Sequence, residues 1–414
     1  MNHASLLEQL PPDARDALAA VRGITSELDV PAHVVGGVVR DLLLGRTDSV
    51  WDIDIVVEGD ASRVADALAP ALGGRITKRS QFGTFQLKTA KLHLDVVTAR
   101  QETYSHPGAL PEVSPGDLQQ DLARRDFSIN AMAISLTENR WGELVDPLGG
   151  QADLAAKHVR MLHDKSFMDD PTRMLRALRY AVRLGFSLDE STGIALHQCI
   201  AFIEKVSGVR RWNEIERILH EPEPEVVLGW AYKTGLLGRV DPALRSSARQ
   251  QSAFVEARNR RGAGIDPLVG VGLLVFEALP NERSRLAADL HLPRAEQRVI
   301  AELNELNPLR RLSDPAMAPS AVAEALDGTS PAVIEAAGLM IQLPQVRERL
   351  FTYLAEWRSV RPRLTAKALE EMGVPHGPAI GHYLHRLRAA RVDGITAAPE
   401  DERRLVAEWL REGA

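Results

Sequence analysis

At 414 residues the chain is too long for one compact core, and at roughly 100–200 residues per domain it divides into two to four units. Its 26% charged and 45% hydrophobic residues exclude a disordered or membrane-embedded chain, and a single cysteine, Cys199, excludes an internal disulfide and a cysteine-based zinc site. The net charge of −6 argues against nucleic acid only if charge is spread evenly. It is not: between 157 and 183 the cations Lys157, Arg160, Lys165, Arg173, Arg176, Arg179 and Arg183 outnumber Asp164, Asp169 and Asp170, which allows a local positive face.

Residues 12–29 have the spacing of an amphipathic helix and are not preceded by a basic leader with an apolar core. No later stretch offers about 18 uncharged apolar residues, so the reading points to the cytoplasm, with no membrane and no disulfide partner. Short β-branched runs follow at Val34-Val35, Ile53 to Val57, Phe85 to Leu87 and Leu92 to Val97, and the first third is therefore α/β. Segment 101–118 (QETYSHPGALPEVSPGDL) reads as a surface loop, of the kind that is functional when it borders a site. Beyond about residue 150 strand signals cease and apolar residues recur at helical spacing, as in Met174, Leu175, Leu178 and Val182. Cys199 falls in this all-helical remainder as a buried residue, and Pro-rich breaks at 221–224, 307–319 and 361–363 divide it.

The chemistry begins in WDIDIVVEG. The period of two in a strand puts the Asp52 and Asp54 carboxylates on one face, about 7 Å apart at Cα. Two Mg²⁺ ions about 3.5–4 Å apart, bridged by such acids, can activate an attacking 3′-hydroxyl and stabilise a leaving pyrophosphate. Taken alone the pair also fits the polar side of an ordinary edge strand. Upstream, Gly36-Gly37 joins a strand to a helix beginning near Val38, where backbone N–H groups and Arg40 one turn in can meet a phosphate; the same pattern serves a plain turn. Downstream, Asp95 lies on a strand able to pair with the Asp52/Asp54 strand, either as a third metal ligand or as a local hydrogen-bond acceptor.

Two arginine groups follow. In DLARRDFSINAMA, Arg124, Arg125, Asp126 and Asn130 offer fork-shaped donors for a triphosphate and an acceptor for a ribose hydroxyl, or a solvated helix start. In DDPTRMLRALRYAVRLGF, Asp170, Arg173, Arg176 and Arg179 recur every three residues on a helix introduced by Pro171, interleaved with apolar positions. Asp170 with Arg173 matches the edge that cytosine and adenine share, an exocyclic amino donor beside a ring-nitrogen acceptor, and mismatches uracil and guanine.

GGVVRDLLLG, DIDIVVEG, DLARRDFSINAMA, DPLGG and DDPTRMLRALRYAVRLGF, in this order, resemble the bacterial class II tRNA nucleotidyltransferase and poly(A) polymerase family, over about residues 30–190. The C-terminal LTAKALEEMGVPHGPAIGHYLHRLRAARVDG is similar to the tail which that family sets against the tRNA elbow. The resemblance implies a nucleotidyltransferase head of mixed β-sheet and helices at 1–150, then all-α parts: a base-reading neck at 151–220, a body at 221–305 and a tail at 306–414. It implies that Asp52 and Asp54 bind Mg²⁺, that Gly37 and Arg40 contact the nucleotide, that Arg125 and Asp126 lie near triphosphate and ribose, and that Asp170, Arg173, Arg176 and Arg179 form the nucleotide pocket. Asp169 stands where the family often has Glu. The implied reaction adds CMP and/or AMP from CTP and ATP to the tRNA 3′ end, with the acceptor arm and elbow as partner surfaces. The loop SHPGALPEV has few of the basic residues of full CCA-adding members, which leaves an A-adding specialist and a poly(A) polymerase as open versions. An idle RNA-binding module, a transferase acting on a protein or antibiotic, and an HD hydrolase site at His163-Asp164 fit the sequence less well.

Overall fold

The computed structural model describes residues 4–47, 52–80, 83–262, 264–306 and 311–412. The chain forms two compact units, Met1–Glu214 with Lys233–Val240, and Ile215–Tyr232 with Asp241–Ala414. Among the described residues no helix is long and apolar enough to cross a membrane.

The first unit is organised by a mixed sheet of strands β1 (Ala32–Val35), β2 (Asp52–Val57), β3 (Arg75–Arg79), β4 (Thr84–Lys88), β5 (His93–Thr98), β8 (Ala133–Ser135) and β9 (Leu144–Val145), in the order β3-β4-β5-β2-β1-β8-β9. β2 and β5 are parallel and the remaining pairs antiparallel. Ile53, Ile55, Leu94 and Val96 are fully buried, and the helix Ala61–Ala71, capped by Asp60 accepting from the Ser62 N–H at 2.9 Å, packs against β3, β4 and β5. On the other face Val35, Val56 and Ala133 form a core with Leu118 and Leu122 of the helix Leu118–Ala123. That helix covers only part of the face and leaves the first pleats of β2 open.

Two sequence expectations are corrected. Segment 101–118 is not a structureless loop: β6 (Arg100–Thr103) and β7 (Glu112–Pro115) pair as an antiparallel ribbon. Its strands are polar on both faces, so no apolar alternation announces them. Strands also persist past 150, where β10 (His158–Val159) and β11 (Ser187–Leu188) form a short parallel pair flanking the helix Arg173–Leu184. The DPLGG motif has a local cause: Asp146 accepts from the N–H groups of Gly150 and Gln151 at 2.7 and 2.9 Å, and a Cβ on Gly150 would lie 2.4 Å from the Ser128 carbonyl oxygen.

The second unit is helical. Pro267, Pro280, Pro319, Pro331, Pro344 and Pro378 each occupy the first turn of a helix, where a missing N–H costs nothing. Separate apolar clusters form around Leu326, Ile334 and Leu350 and around Leu369, Leu387 and Val406. Part of the expected Pro-rich break, 307–310, lies outside the described residues. Cys199 ends the helix Glu190–Cys199 and is buried, as expected.

Candidate active site

β2 presents Asp52 and Asp54 on the open face of the sheet, and β5 sets Asp95 directly beside Asp54 across the parallel pair. Burial is the largest influence on Asp54; with the charges of Asp52 and Asp95 it pushes the carboxyl up to about 6, although Arg125 pulls the other way. Burial and Asp95 raise Asp52 as well. Asp95 accepts a hydrogen bond from Gln86 Nε2 at 3.3 Å. Carboxylates that raise one another's proton affinity form a site short of positive charge. An oxygen-only donor set suits a hard divalent cation, and Mg²⁺ takes one or two protein carboxylates while water and substrate phosphates complete its shell. Among the described residues no three Asp, Glu, His or Cys side chains converge as a ready cage. The residues therefore fit a metal shared with a phosphate substrate and not an all-protein site.

A cavity of about 450 Å³ opens beside Asp54. Gly36 and Gly37 form part of its wall; Gly36 has φ +75°, and a Cβ there would lie 2.9 Å from Arg125 Nη1 and 3.5 Å from Asp54 Oδ2. Only glycine allows the chain to pass so close to both groups. Arg40, expected to reach the nucleotide directly, is buried outside the cavity lining. Its guanidinium donates to Asn130 Oδ1 at 2.8 Å and to both Asp41 oxygens at 2.9 Å, and lies 5.5 Å from the Tyr180 ring centre. It fixes Asn130, which lines the cavity.

Arg124 and Arg125 both reach the cavity, held by the fully buried Asp121 at 2.6 and 3.0 Å. Asp126 has protein donors on both oxygens: the Phe127 N–H and Asn130 Nδ2 on one, Arg176 at 2.5 and 3.0 Å on the other. Burial opposes its ionisation, but Arg176 and Asn130 outweigh that and hold the carboxyl below the usual range. Arg176 is raised in turn, chiefly by Asp126.

Asp170 and Arg173 line the same cavity. Asp170 Oδ1 accepts from the Thr172 N–H at 3.0 Å, the Thr172 hydroxyl at 2.6 Å and Arg210 Nη2 at 2.9 Å. Among the described residues no donor is paired with Oδ2. Arg173 is held by Ser166 Oγ at 2.9 Å and the Arg124 carbonyl at 2.6 Å. Asp169 and Arg179 fall outside the lining. Steps of three residues turn back about 60° each, so the helix face that carries Arg173 and Arg176 has rotated away by Arg179, while Tyr180, seven residues on, returns to it. Arg179 turns to Glu214 at 3.6 Å.

Sequence reasoning missed Arg100, Glu102, Tyr104, Tyr180 and Arg210, which share the lining. The first three stand at every second residue of β6 and its extension, a strand period written in polar side chains. Glu102 ties Arg100, Arg124 and the Tyr104 hydroxyl together at 2.9, 3.0 and 2.9 Å. Arg210 also donates to the Gly108 carbonyl at 3.0 Å and so anchors the segment between β6 and β7 to Asp170. His163 is held below its ordinary value by burial and by Arg173.

Residues 32–160 match a family model described as the poly A polymerase head domain, and residues 185–247 one described as a probable RNA and SrmB-binding site of polymerase A. A CC-adding tRNA nucleotidyltransferase of Deinococcus radiodurans is 33% identical over 388 residues, covering 92% of this chain and 90% of the relative. The chain belongs to the tRNA nucleotidyltransferase and poly(A) polymerase family. Its family includes an A-adding tRNA nucleotidyltransferase of Geobacter sulfurreducens, 32% identical over 404 residues; the match covers 92% of this chain but 45% of that longer relative. Of an A-adding relative from Aquifex aeolicus, 49% identical over 192 residues, the matching part is 46% of this chain and 23% of the relative. Among solved structures, a Thermotoga maritima CCA-adding enzyme complexed with tRNA superposes with a TM-score of 0.76 at 27% identity, covering 99% of both chains.

Proposed function

We propose that this chain is a template-independent nucleotidyltransferase that adds CMP and/or AMP from CTP and ATP to the 3′ end of tRNA in the cytoplasm. The observation that carries the reading is one cavity whose lining holds both Asp54, with Asp52 and Asp95 beside it on the sheet outside that lining, and the Asp170/Arg173 pair. Asp52 and Asp54 would hold the divalent cation, two Mg²⁺ ions in the finer form of the proposal, with Asp95 beside them. When bound, the metal supplies activation of the 3′-hydroxyl and charge stabilisation of the departing pyrophosphate. The new bond joins the 3′-oxygen to the α-phosphorus, and the α–β bridge breaks.

The chain's own residues position the reactants. Arg124 and Arg125, fixed by Asp121 and Glu102, face the triphosphate, and Gly36 allows its close approach. Asp126 holds Arg176 against the nucleotide and is a positioning residue, as are Arg40 and Asn130. Asp170 Oδ2 accepts from the exocyclic amino group of cytosine or adenine while Arg173 donates to the ring nitrogen; uracil and guanine leave both groups unpaired. Residues 1–150 then act as the catalytic head, 151–220 as the base-reading neck, and 221–305 and 306–414 as body and tail holding the tRNA acceptor arm and elbow. A narrower reading, addition of the terminal A alone, is favoured by the scarcity of basic residues in 105–113 (SHPGALPEV).

Purified protein offered tRNAs ending at the discriminator base, at C or at CC, with Mg²⁺ and CTP, ATP, UTP or GTP singly, tests both. CMP or AMP incorporation with UMP and GMP refused supports the proposal, AMP onto the CC end alone supports the narrower form, and continued AMP addition to unrelated RNA would identify a poly(A) polymerase. No transfer onto any end would refute the proposal.

A further inference from the structure

The carboxylate face of the sheet continues outward beyond Asp95, across β5, β4 and β3. Strand register fixes two rows of side chains on it. One runs Asp54, Asp95, Gln86, Lys78; the other runs Asp52, His93, Lys88, Arg75. A bulge between Ile76 and Lys78 inserts one residue into β3, so that Lys78 instead of Thr77 stands opposite Gln86. The alternate side chains confirm the assignment of faces: Phe85 and Leu87 are buried on the opposite side, where Arg79 stacks on Phe85 and pairs with Asp66 of the helix Ala61–Ala71.

Arg75, Lys78, Lys88 and His93 are all exposed. None of Arg75, Lys78 and Lys88 makes an ion pair among the described residues, whereas Arg100, Arg124, Arg125, Arg176 and Arg210 in the cavity are each matched to a carboxylate. The strip is also separate from the cavity, whose lining includes none of them. Its cations are solvated and uncompensated, on an open surface continuous with the acids at which a 3′-hydroxyl would react. Three strand spacings from β2 to β3 span about 14 Å, roughly the length of four stacked nucleotides.

We propose that Arg75, Lys78 and Lys88 form a phosphate track for the single-stranded 3′ tail of the RNA, leading its last nucleotides across the sheet to Asp52 and Asp54. The inference rests on the nucleotidyltransferase reading for its direction, but the binding surface is measurable without catalysis. The partner is a polyanionic strand read by backbone charge, so the track is indifferent to sequence, and its contribution is weakened by salt.

The test compares the full-length wild type with the R75Q/K78Q/K88Q variant and with R75K/K78R/K88R, using fluorescence anisotropy with EDTA present. The probes are a hairpin RNA with a single-stranded 3′ tail of about four nucleotides and the same hairpin blunt-ended, between about 50 and 200 mM salt. The glutamine variant is expected to lose about tenfold in affinity for the tailed hairpin and about two units of its log–log salt slope, with the blunt hairpin changed by less than about twofold. The charge-preserving variant keeps wild-type binding, and ATP affinity is unaltered in both. Unchanged binding of the tailed hairpin, or an equal loss for both hairpins, would overturn the track. Wild-type protein that shows the tail-dependent loss on substitution yet transfers no nucleotide to the tailed hairpin would refute the nucleotidyltransferase reading and leave the track standing.

Discussion

Asp54 and Asp126 line the same cavity, and their proton affinities are shifted in opposite directions. Asp54 is pushed up to about 6 by burial and by the charges of Asp52, Asp95 and Asp121, with Arg125 acting against them. Asp126 is more deeply buried, yet Arg176 and Asn130 keep it below the ordinary carboxylate range. One acid has been left short of positive charge and the other has been given its full complement. The first arrangement suits a site whose missing charge arrives with the substrate; the second builds a wall that does not rearrange when the substrate binds.

Breaking each side of this contrast gives different effects. Asp52→Ala or Asp54→Ala removes the metal's share of transition-state stabilisation, several kcal/mol, and lowers single-turnover incorporation by about a thousandfold or more. RNA affinity, measured by anisotropy in the same variants, stays within about twofold, because neither acid contacts the phosphate track in this account. Asp126→Ala acts on the fold: Arg176 loses its hydrogen-bonded carboxylate and is left with Glu214 at 4.0 Å, which costs about 2–3 kcal/mol, less than for a fully buried pair because Arg176 keeps some access to water, and urea unfolding should show it. Arg173→Ala keeps the chemistry and relaxes selection, and the preference for CTP or ATP over UTP falls by about 10–100-fold in competition assays. Arg210→Ala is the mildest. Thr172 still holds Asp170 Oδ1, so KM for the nucleotide rises by about three- to tenfold with a smaller change in kcat.

The strands carrying the acids were legible because Ile53, Ile55, Leu94 and Val96 write their burial into the sequence, and so was the pairing of the two strands; the register that sets Asp95 beside Asp54 was not. β3, reading Arg-Ile-Thr-Lys-Arg, was not legible: it is a sheet edge with exposed cations, and its bulge destroys the alternation. The Arg100, Glu102, Tyr104 face was hidden for a related reason, since a strand that is polar on both sides gives no hydrophobic period. Arg210 lies 40 residues from Asp170 along the chain, and only the packing of the helix Gly208–Leu219 brings them together. Arg173, Arg176 and Arg179 recur every three residues in the sequence, but the helix period turns the last of them out of the cavity lining and toward Glu214.

The contrast between the two aspartates is tested most directly by Mn²⁺ binding to the full chain, followed by electron paramagnetic resonance in the presence of ATP. Wild type and Asp126→Asn are expected to immobilise the ion, and Asp54→Asn to leave it free in solution or bound to ATP alone. Binding by Asp54→Asn as tight as wild type, or its loss in a folded Asp126→Asn protein, would contradict the assignment of the charge-deficient carboxylates as the metal site.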